Sequence, residues 1–381
     1  MCRTLQKNGY ESKVILLQNS ENKSQDDILR VTRTELDSTN WWRSLNLDGI
    51  IMFGWGRHRD TSIVRAIAAS NTPLVIHVDG SGVSFPIFEH RAALKTLWSA
   101  ECGTGRSLPA RAVAFSKAAL TSSLKILLRH TYLHCRHLRY ATVTTFQTPT
   151  SIGRTLRLAR LFGEERNLNL ELVGYPVPEC YQWDPAVAKE KRIIAIGRWA
   201  ALRQKRPNIL MNVCQQIISL EPDLHIDIFG TRTQELSQWH AGLKAADQSR
   251  IHLHGEQPAE ILQRAMLRAQ ISFFPSSHEG GPQALFEGLA CGVTTVGLDT
   301  PNLPGTRWAH ECGHAELATR DNIEEYVAAL QRALRKWEAG EYCPEAISGL
   351  WKNRTNAAAI LHKMMAATAK KTEAKNKSQR G

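Results

Sequence analysis

The chain has 381 residues, more than one hydrophobic core usually supports, so we expect two domains. Hydrophobic residues make up 43% and charged residues 22%, with 25 Gly and 15 Pro, which excludes the collagenous and disordered classes. The net charge of +12 indicates an acidic partner, which could be nucleic acid, an anionic lipid surface or phosphorylated small molecules.

Membrane spans and export signals are not expected. No apolar run approaches the roughly 20 residues that cross a bilayer, and the first residues lack the apolar stretch of a signal peptide. We therefore expect a cytoplasmic protein, with a peripheral position on the inner face of the membrane as an option. The eight Cys residues include no Cys-x-x-Cys pair, which indicates reduced cysteines that serve in packing.

The beginning of the sequence differs from that of a typical doubly wound domain. Its first residues have a helical pattern that ends at Asn8-Gly9, ahead of a strand that begins at Lys13. Such domains normally open with a strand and a glycine-rich turn. The pattern predicts either that the first strand is missing or that the sheet opens in another way.

Apolar runs alternate with helical patterns along the chain, which is typical of parallel sheets joined by crossover helices. The strands predicted in the first half are 13–17, 49–53, 74–78, 112–115, 141–145 and 170–173. Those of the second half are 192–196, 224–229, 251–253, 271–274 and 293–297. Helices are predicted near 207–220, 233–246, 258–268, 282–290, 323–338 and 345–368.

The prolines Pro176, Pro178 and Pro185 lie between these two series and mark a connector. We therefore predict four segments. They are an N-terminal Rossmann-like domain at 1–175, a C-terminal Rossmann-like domain at 176–345, a helix at 346–369 and a basic tail at 370–381.

Residues 102–163 contain ten Lys and Arg and no Asp or Glu. On a helix that starts near Lys117, leucines share one face, and Lys125, Arg129 and Arg136 form a stripe roughly opposite. Such a helix can lie on an anionic membrane surface. A core-facing helix with a solvated basic back explains the pattern equally well. Nucleic acid is not an expected partner, because no recognised motif accompanies the charge.

The most specific local pattern is PSSHEGGPQALFEGLACG at residues 275–292. Its loop follows a predicted apolar strand, and ligands of open α/β sheets bind at the carboxyl ends of strands. Gly280 and Gly281 allow a ligand to approach the backbone where a helix begins. Glu279 precedes that helix and Glu287 lies in its second turn, so the two carboxylates reach different parts of one ligand. An acid pair on a solvated helix is the alternative, but the flanking strand and glycines favour a binding loop.

This segment resembles the signature of GT-B glycosyltransferases that retain anomeric configuration, in particular glycosyltransferase family 4. Further pieces resemble family elements in the same order: Arg198 and Lys205 after the first strand of the second domain, and Gly230 at the end of the next. The run PLVIHVDG at 73–80 resembles a strand whose end carries an active-site His or Asp. Residues 114–116 resemble a recurrent strand followed by serine. The similarity extends over roughly residues 1–345.

The resemblance implies two Rossmann-like domains that face a cleft, and transfer of a sugar from a nucleoside diphosphate sugar to an acceptor with retention. The implied contacts of the donor diphosphate are Arg198, Lys205, Gly280 and Gly281. Glu287 is the implied partner of the ribose hydroxyls, and the implied catalytic residues are Glu279, His77 and Asp79. For Arg198 and Lys205 the alternative is a solvated loop, and for His77 it is a satisfied core histidine.

The resemblance also concerns partners and cofactors. It implies a UDP- or GDP-sugar as donor and a glycan, a lipid-linked sugar or a small molecule as acceptor, in cell-envelope polysaccharide synthesis. No metal and no separate cofactor are expected, because fixed cations and a helix N-terminus neutralise the diphosphate. No residue has the setting of an enzymatic nucleophile, so the leaving diphosphate is expected to help deprotonate the acceptor.

Three alternatives remain at the level of the sequence. A non-catalytic binding or scaffold protein would fit the unusual first residues, and a GT-B epimerase or phosphorylase would keep the donor site but change the reaction. The third is a zinc hydrolase, since HECGH at 310–314 fits the His-Glu-x-x-His pattern. Pro304, Gly305 and Gly313 argue against the stable helix that this motif needs.

Overall fold

The computed structural model describes residues 2–7, 9–17, 28–54, 60–78, 98, 107–121 and 124–366. The chain divides into two compact units. Unit 1 comprises the described residues within Met1–Ser84, Leu127–Pro176 and Asn356–Gly381, and unit 2 those within Phe85–Ile126 and Val177–Thr355. The passage from unit 1 to unit 2 at Pro176 falls in the proline-containing connector.

The elements follow each other in α/β alternation. Up to Pro176 they are α1 Cys2–Lys7, β1 Val14–Leu17, β2 Ile28–Val31, α2 Arg33–Leu36, α3 Thr39–Ser44, β3 Ile50–Gly54, α4 Thr61–Ala69, β4 Leu74–Val78, α5 Leu108–Thr121, α6 Leu124–Leu138, β5 Val143–Phe146, α7 Pro149–Arg160 and β6 Leu170–Leu172.

The elements that follow are β7 Glu190–Gly197, α8 Leu202–Lys205, α9 Pro207–Leu220, β8 His225–Gly230, α10 Gln234–Ala241, α11 Ala245–Gln248, β9 Ile251–Gly255, α12 Ala259–Arg268, β10 Ala269–Phe274, α13 Gln283–Ala290, β11 Thr294–Leu298, α14 Pro304–Glu311, β12 Ala315–Ala318, α15 Ile323–Glu338 and α16 Pro344–Thr355. A last helix, α17, spans 357–366.

Unit 1 contains a four-stranded parallel sheet in the order β3-β4-β5-β6, and β1 and β2 pair in a separate parallel sheet. The strand β4 is buried on both faces: Leu74 and Ile76 belong to one hydrophobic cluster and Val75 to another, which includes Ile360 and Leu361 of α17. Burial on both faces is what a parallel sheet covered by helices requires, and it explains the continuous apolar run.

Unit 2 contains a six-stranded parallel sheet in the order β12-β11-β10-β7-β8-β9. The chain builds β7, β8 and β9 outward on one side and then returns to place β10 beside β7. The strand order therefore reverses between β7 and β10. In open α/β sheets this switch point, at the carboxyl ends of the strands, is where ligands bind.

Close backbone contact joins the ends of β7 and β8. Gly230 has a φ of +112°, and a Cβ added there would lie 1.9 Å from the carbonyl oxygen of Gly197. Trp199 packs its ring against Gly197 and donates its Nε1–H to the carbonyl oxygen of Phe229 at 2.9 Å. These contacts fix the direction in which the chain leaves β7 towards α8.

Most of the predicted elements are confirmed, including the helices at 207–220 and 323–338, which the structure reproduces residue for residue. The predicted strand at 112–115 is wrong, because these residues lie inside α5, and with it the likeness of 114–116 to a strand followed by serine is lost. The segment is rich in alanine, and Val113 is 70% exposed, so neither propensity nor burial supports a strand. The strands β2 and β12 were not predicted, and the helix predicted at 345–368 is divided into α16 and α17.

Candidate functional site

Two segments meet at the switch point of unit 2. One is α8, which follows β7, and the other is the loop 275–282, which follows β10. The backbone N–H of Ser277 donates to the carbonyl oxygen of Gln204 at 2.9 Å, and its Oγ donates to that of Arg203 at 2.8 Å. The loop and α8 are therefore held together by their own hydrogen bonds, although about 70 residues separate them in the chain.

A buried ion pair lies within this junction. Lys205 Nζ donates to Glu279 Oε1, and each of the two side chains is only 10% exposed. Gln204 Nε2 donates to the other oxygen, Oε2, at 3.1 Å, while the backbone N–H of Glu279 donates to Asn302 O at 2.9 Å. Both carboxylate oxygens of Glu279 therefore have a partner, as a buried charge requires.

Arg198 follows β7 directly and is exposed. Within the described part of the chain its guanidinium makes no ion pair and no side-chain hydrogen bond. A guanidinium offers five N–H donors in a fixed planar arrangement, which suits phosphate oxygens. Arg198 therefore supplies an uncompensated positive charge at this edge of the sheet.

The start of α13 adds a second source of positive potential. The helix begins after Pro282, no side chain caps its first turn, and that turn contains no acidic residue. Gly281 lies close to Gly305 of α14. A Cβ added at Gly305 would be 3.4 Å from the Cα of Gly281 and 2.8 Å from Leu285 Cδ2. The first N–H groups of α13 therefore have no side-chain cap, and a helix start of this kind favours binding of an anion.

Glu287 lies in the second turn of α13 and is 5% exposed. Gln283 Nε2 donates to its Oε1 at 2.6 Å. Burial raises the pKa of the Glu287 carboxyl to about 7, because the charged form loses its hydration, and the hydrogen bond from Gln283 offsets this only in part. Near neutral pH the carboxyl is therefore divided between its neutral and ionised forms.

His77 belongs to unit 1, at the carboxyl end of β4, and is fully buried. Its Nδ1 is hydrogen-bonded to Thr145 Oγ1 of β5 at 2.9 Å, and its Nε2 has no partner among the described residues. Burial lowers its pKa to about 4, so the ring is neutral at physiological pH. This environment is that of a core histidine at a sheet edge, and a catalytic role for it stays a prediction. Asp79, two residues on, lies outside the described residues.

Of the predicted site residues, the structure brings Lys205 and Glu279 into direct contact. Arg198, Gly280, Gly281 and Glu287 belong to the same unit and to segments that begin at the same sheet edge. Three further residues, Gln204, Ser277 and Asn302, hold Glu279 or its loop, and no role was predicted for them from the sequence. Gln204 has a visible signal, since it precedes Lys205, but no pattern in the sequence connects Asn302 with Glu279.

The HECGH segment does not form a zinc-binding helix. The helix α14 ends at Glu311, inside the motif, and Gly313 follows with a φ of +78°. His310 Nδ1 is hydrogen-bonded to Ala315 O at 2.7 Å, whereas His314 Nδ1 accepts from Trp351 Nε1 at 2.8 Å. Among the residues that the structure describes, no three His, Cys, Asp or Glu side chains form a group that could hold a metal ion.

Where it is described, the basic segment 102–163 contains the helices α5, α6 and α7 and the strand β5. Some of its basic side chains are paired with carboxylates or buried. Arg139 lies 3.9 Å from the carboxylate of Glu164, Arg160 lies 3.7 Å from that of Glu165, and Arg154 is buried. The side chain of Lys125 lies outside the described residues. Over the described ranges, none of the helices has the length and apolarity of a membrane span.

Comparison with known proteins agrees with this architecture. Residues 190–336 match the family model of glycosyl transferases group 1. Sucrose-phosphate synthase from Thermosynechococcus elongatus has a similar structure, with a TM-score of 0.63 and 13% identity, over 97% of this chain and 91% of that chain. The chain has the GT-B glycosyltransferase fold. The predicted fold class is thereby confirmed, and the predicted resemblance to group 1 glycosyltransferases is confirmed over residues 190–336.

Two further GT-B structures are similar over almost the whole chain. An α,α-trehalose 6-phosphate synthase from Burkholderia multivorans matches with a TM-score of 0.60 and 12% identity, over 90% of this chain and 76% of its own. Anabaena Alr3699/HepE, solved in complex with UDP-glucose, matches with a TM-score of 0.59 and 12% identity, over 94% of this chain and 100% of its own. No curated protein has a matching sequence. Identities this low establish the GT-B fold and leave donor, acceptor and stereochemistry to other arguments.

Proposed function

We propose that this GT-B protein transfers a sugar from a nucleoside diphosphate sugar, UDP- or GDP-linked, to an acceptor with retention of configuration. The observation that carries the proposal is the junction of α8 with the loop 275–282 at the switch point of unit 2. There a lysine, a carboxylate and an uncapped helix start lie at the place where open α/β sheets bind ligands. The match of residues 190–336 to glycosyl transferases group 1 supports the same function.

In this proposal the donor diphosphate is bound by Arg198, by Lys205 and by the amides at the start of α13. Negative charge on the diphosphate grows as the bond to the sugar breaks, so fixed cations there stabilise the transition state more than the ground state. Gly280 and Gly281 let the phosphates or the sugar approach the backbone. These groups neutralise the diphosphate, and the proposed reaction therefore needs no metal ion.

Glu287, in its ionised form, accepts hydrogen bonds from the ribose hydroxyls, and Glu279 contacts the sugar ring. The bond from the anomeric carbon to the phosphate oxygen breaks, and the acceptor oxygen bonds to the same face of the ring. The proton of the acceptor hydroxyl goes to the leaving diphosphate. His77 and Asp79 are candidates for orienting the acceptor, which is a carbohydrate, a lipid-linked sugar or a small molecule.

The first test is thermal unfolding with UDP, GDP, ADP and their sugar conjugates. A ligand that binds only the folded protein raises its stability by about 2.7 kcal/mol at a hundred times its dissociation constant. We expect one nucleotide to raise the melting temperature of the protein and to lose this effect in Glu287→Ala. The control is Glu235→Ala on the exposed surface of α10, which should respond as the unmodified protein does. A protein that responds to none of the nucleotides contradicts the proposal.

The second test is product analysis with the sugar conjugate of the responding nucleotide and a panel of acceptors, with and without a metal chelator. We expect nucleotide release that depends on acceptor, a product with the anomeric configuration of the donor, and no loss on chelation. Conversion of the donor sugar without acceptor would assign an epimerase instead. An inverted product would contradict retention.

We also propose that the basic segment 102–163 brings the protein to an anionic membrane surface that carries the acceptor. Arg129 is exposed on α6, as such a surface contact requires. The test is sedimentation with vesicles of phosphatidylglycerol against vesicles of phosphatidylcholine. Preferential binding to the anionic vesicles is expected, and equal binding to both contradicts the proposal.

A further inference from the structure

The ion pair at the switch point joins two residues to which the proposed function gives different ligands. Lys205 is assigned to the donor diphosphate and Glu279 to the sugar. In the structure they bind each other, with each side chain only 10% exposed. The positive charge of Lys205 is therefore already compensated, and Arg198 alone of these two cations faces solvent without a partner among the described residues.

Two side chains of α8 donate hydrogen bonds to the two carboxylate oxygens of Glu279. Lys205 occupies Oε1 and Gln204 occupies Oε2 at 3.1 Å, and Gln204 Nε2 also lies 3.3 Å from the carbonyl oxygen of His278. The loop backbone is fixed by hydrogen bonds that do not involve the Glu279 side chain. The backbone N–H of Ser277 donates to the carbonyl oxygen of Gln204, and the backbone N–H of Glu279 donates to that of Asn302. Because the backbone has its own anchors, the Glu279 side chain can leave Lys205 without releasing the loop.

A phosphate that approaches Lys205 meets the carboxylate on the same ammonium. Two anions at one buried cation repel each other, and the effect is strong because little water is present to screen it. The donor gains the full charge of Lys205 only when Glu279 turns away. A nucleoside diphosphate sugar can offset that movement, since its sugar hydroxyls offer new hydrogen-bond donors to the displaced carboxylate. A nucleoside diphosphate lacks the transferred sugar, and its ribose hydroxyls are assigned to Glu287, so it offers no such donors to Glu279.

We propose that Glu279 is a built-in competitor of the donor diphosphate, held on Lys205 by α8, and that its displacement makes the site discriminate a nucleotide sugar from the bare nucleotide. Gln204 is a positioning residue in this arrangement, because it acts on the ligand only through Glu279. The inference rests on the proposed function. The inference also explains why the nucleotide product leaves the site. Once the sugar has been transferred, Glu279 returns to Lys205 and weakens the contact of Lys205 with the diphosphate.

The test is isothermal titration of UDP and of GDP into the full chain and three variants: Glu279→Gln, Lys205→Met and the double variant. We expect Glu279→Gln to bind the preferred bare nucleotide at least about fivefold more tightly than the unmodified protein. In the Lys205→Met background the same substitution should change affinity by less than about twofold, because no cation is left to compete for. Glu235→Gln, which removes one charge from exposed α10, should leave affinity unchanged.

Each other result has a definite meaning. Equal or weaker nucleotide binding by Glu279→Gln overturns the competition. A gain that persists undiminished in the Lys205→Met background shows general repulsion by Glu279 and also overturns it. If Glu279→Gln does not fold, Gln204→Leu decides: it should tighten bare nucleotide about twofold by loosening Oε2, and no gain refutes the inference. If neither the protein nor any variant binds a nucleotide, the proposed function itself fails, and that result is distinct from the others.

Discussion

The two units place very different groups at the carboxyl edges of their parallel sheets. In unit 2 the edge carries ionised groups, the Lys205 and Glu279 pair and the exposed Arg198. In unit 1 the ends of β4 and β5 carry neutral polar side chains, His77 and Thr145, which are buried and bonded to each other. Among the described residues, the edge of unit 2 therefore presents charge, and the ends of β4 and β5 in unit 1 present uncharged hydrogen-bonding groups.

The difference shows what each unit can bind with its described residues. A diphosphate needs cations and free backbone amides, and unit 2 has both at its edge. In unit 1, His77 is neutral and fully buried, and its Nε2 has no partner among the described residues. In the proposed function the donor binds to unit 2, and His77 of unit 1 remains a predicted residue for orienting the acceptor. The predictions below test this contrast, from the largest effect to the smallest.

The edge of unit 2 depends first on the close contact of β7 with β8. In Gly230→Ala the added Cβ would lie 1.9 Å from the Gly197 carbonyl oxygen, at a φ of +112°. We expect a loss of about 4 kcal/mol or more in the free energy of unfolding, measured by urea titration. Gly349→Ala in α16 is the matched control, since its Cβ meets nothing within 4 Å. The control should be neutral or slightly stabilising, and equal losses in both variants would refute the explanation.

The buried His77 predicts a pH dependence for unit 1. The neutral ring is favoured in the folded protein, with a pKa near 4 against an ordinary value of 6.5. The unfolded chain therefore binds the proton more readily, and stability is lost as the pH falls from 6.5 to 4. The loss amounts to about 3 kcal/mol. The measurement is the stability of His77→Gln relative to the unmodified protein at several pH values. A difference that stays constant over that range would contradict the prediction.

Glu287 predicts the opposite dependence for unit 2. Its folded pKa is near 7 against an ordinary value of 4.5, so the folded protein binds the proton more readily. The contribution of Glu287 to the free energy of unfolding is fully present below pH 4.5. It is lost as the pH rises to 7, by up to about 3 kcal/mol. Glu287→Gln should therefore gain stability relative to the unmodified protein as the pH rises through this range. The variant should at the same time bind nucleotide more weakly. A variant that is destabilised more at pH 8 than at pH 5 would refute the assignment.

Arg198 gives the smallest effect on stability and tests the charge at the edge of unit 2. The side chain is exposed and unpaired among the described residues, so Arg198→Ala should change the free energy of unfolding by less than about 0.5 kcal/mol. Nucleotide affinity should nevertheless fall at least about tenfold, and the loss should shrink at high salt. Arg203→Ala, at an exposed position within α8, serves as a charge control. Equal losses of affinity in both variants would indicate a general field effect and not a specific contact.

Much of unit 2 could be predicted from the sequence, because its strands are short apolar runs bounded by glycine or proline and its helices have clear periodicity. The loop 275–282 could be assigned for the same reason, since strand, glycines and helix follow each other without interruption. The prediction failed at 112–115, a short apolar run that resembles a strand in length but is rich in alanine and lies in the exposed helix α5. Local pattern does not distinguish the two when burial is low.

The sequence by itself determined the alternation of strands and helices, the loop after β10 with its glycines and carboxylates, and a set of candidate ligand-binding residues, because these depend on neighbours along the chain. Only the tertiary structure decided how those residues are paired. Lys205 and Glu279 are 74 positions apart, and their contact follows from the placement of β10 beside β7. Burial of Glu287 and His77, and hence their shifted pKa values, likewise depends on distant segments that exclude water. Charge state and partner choice are properties of the packed sheet edge, whereas residue type and local conformation are already present in the chain.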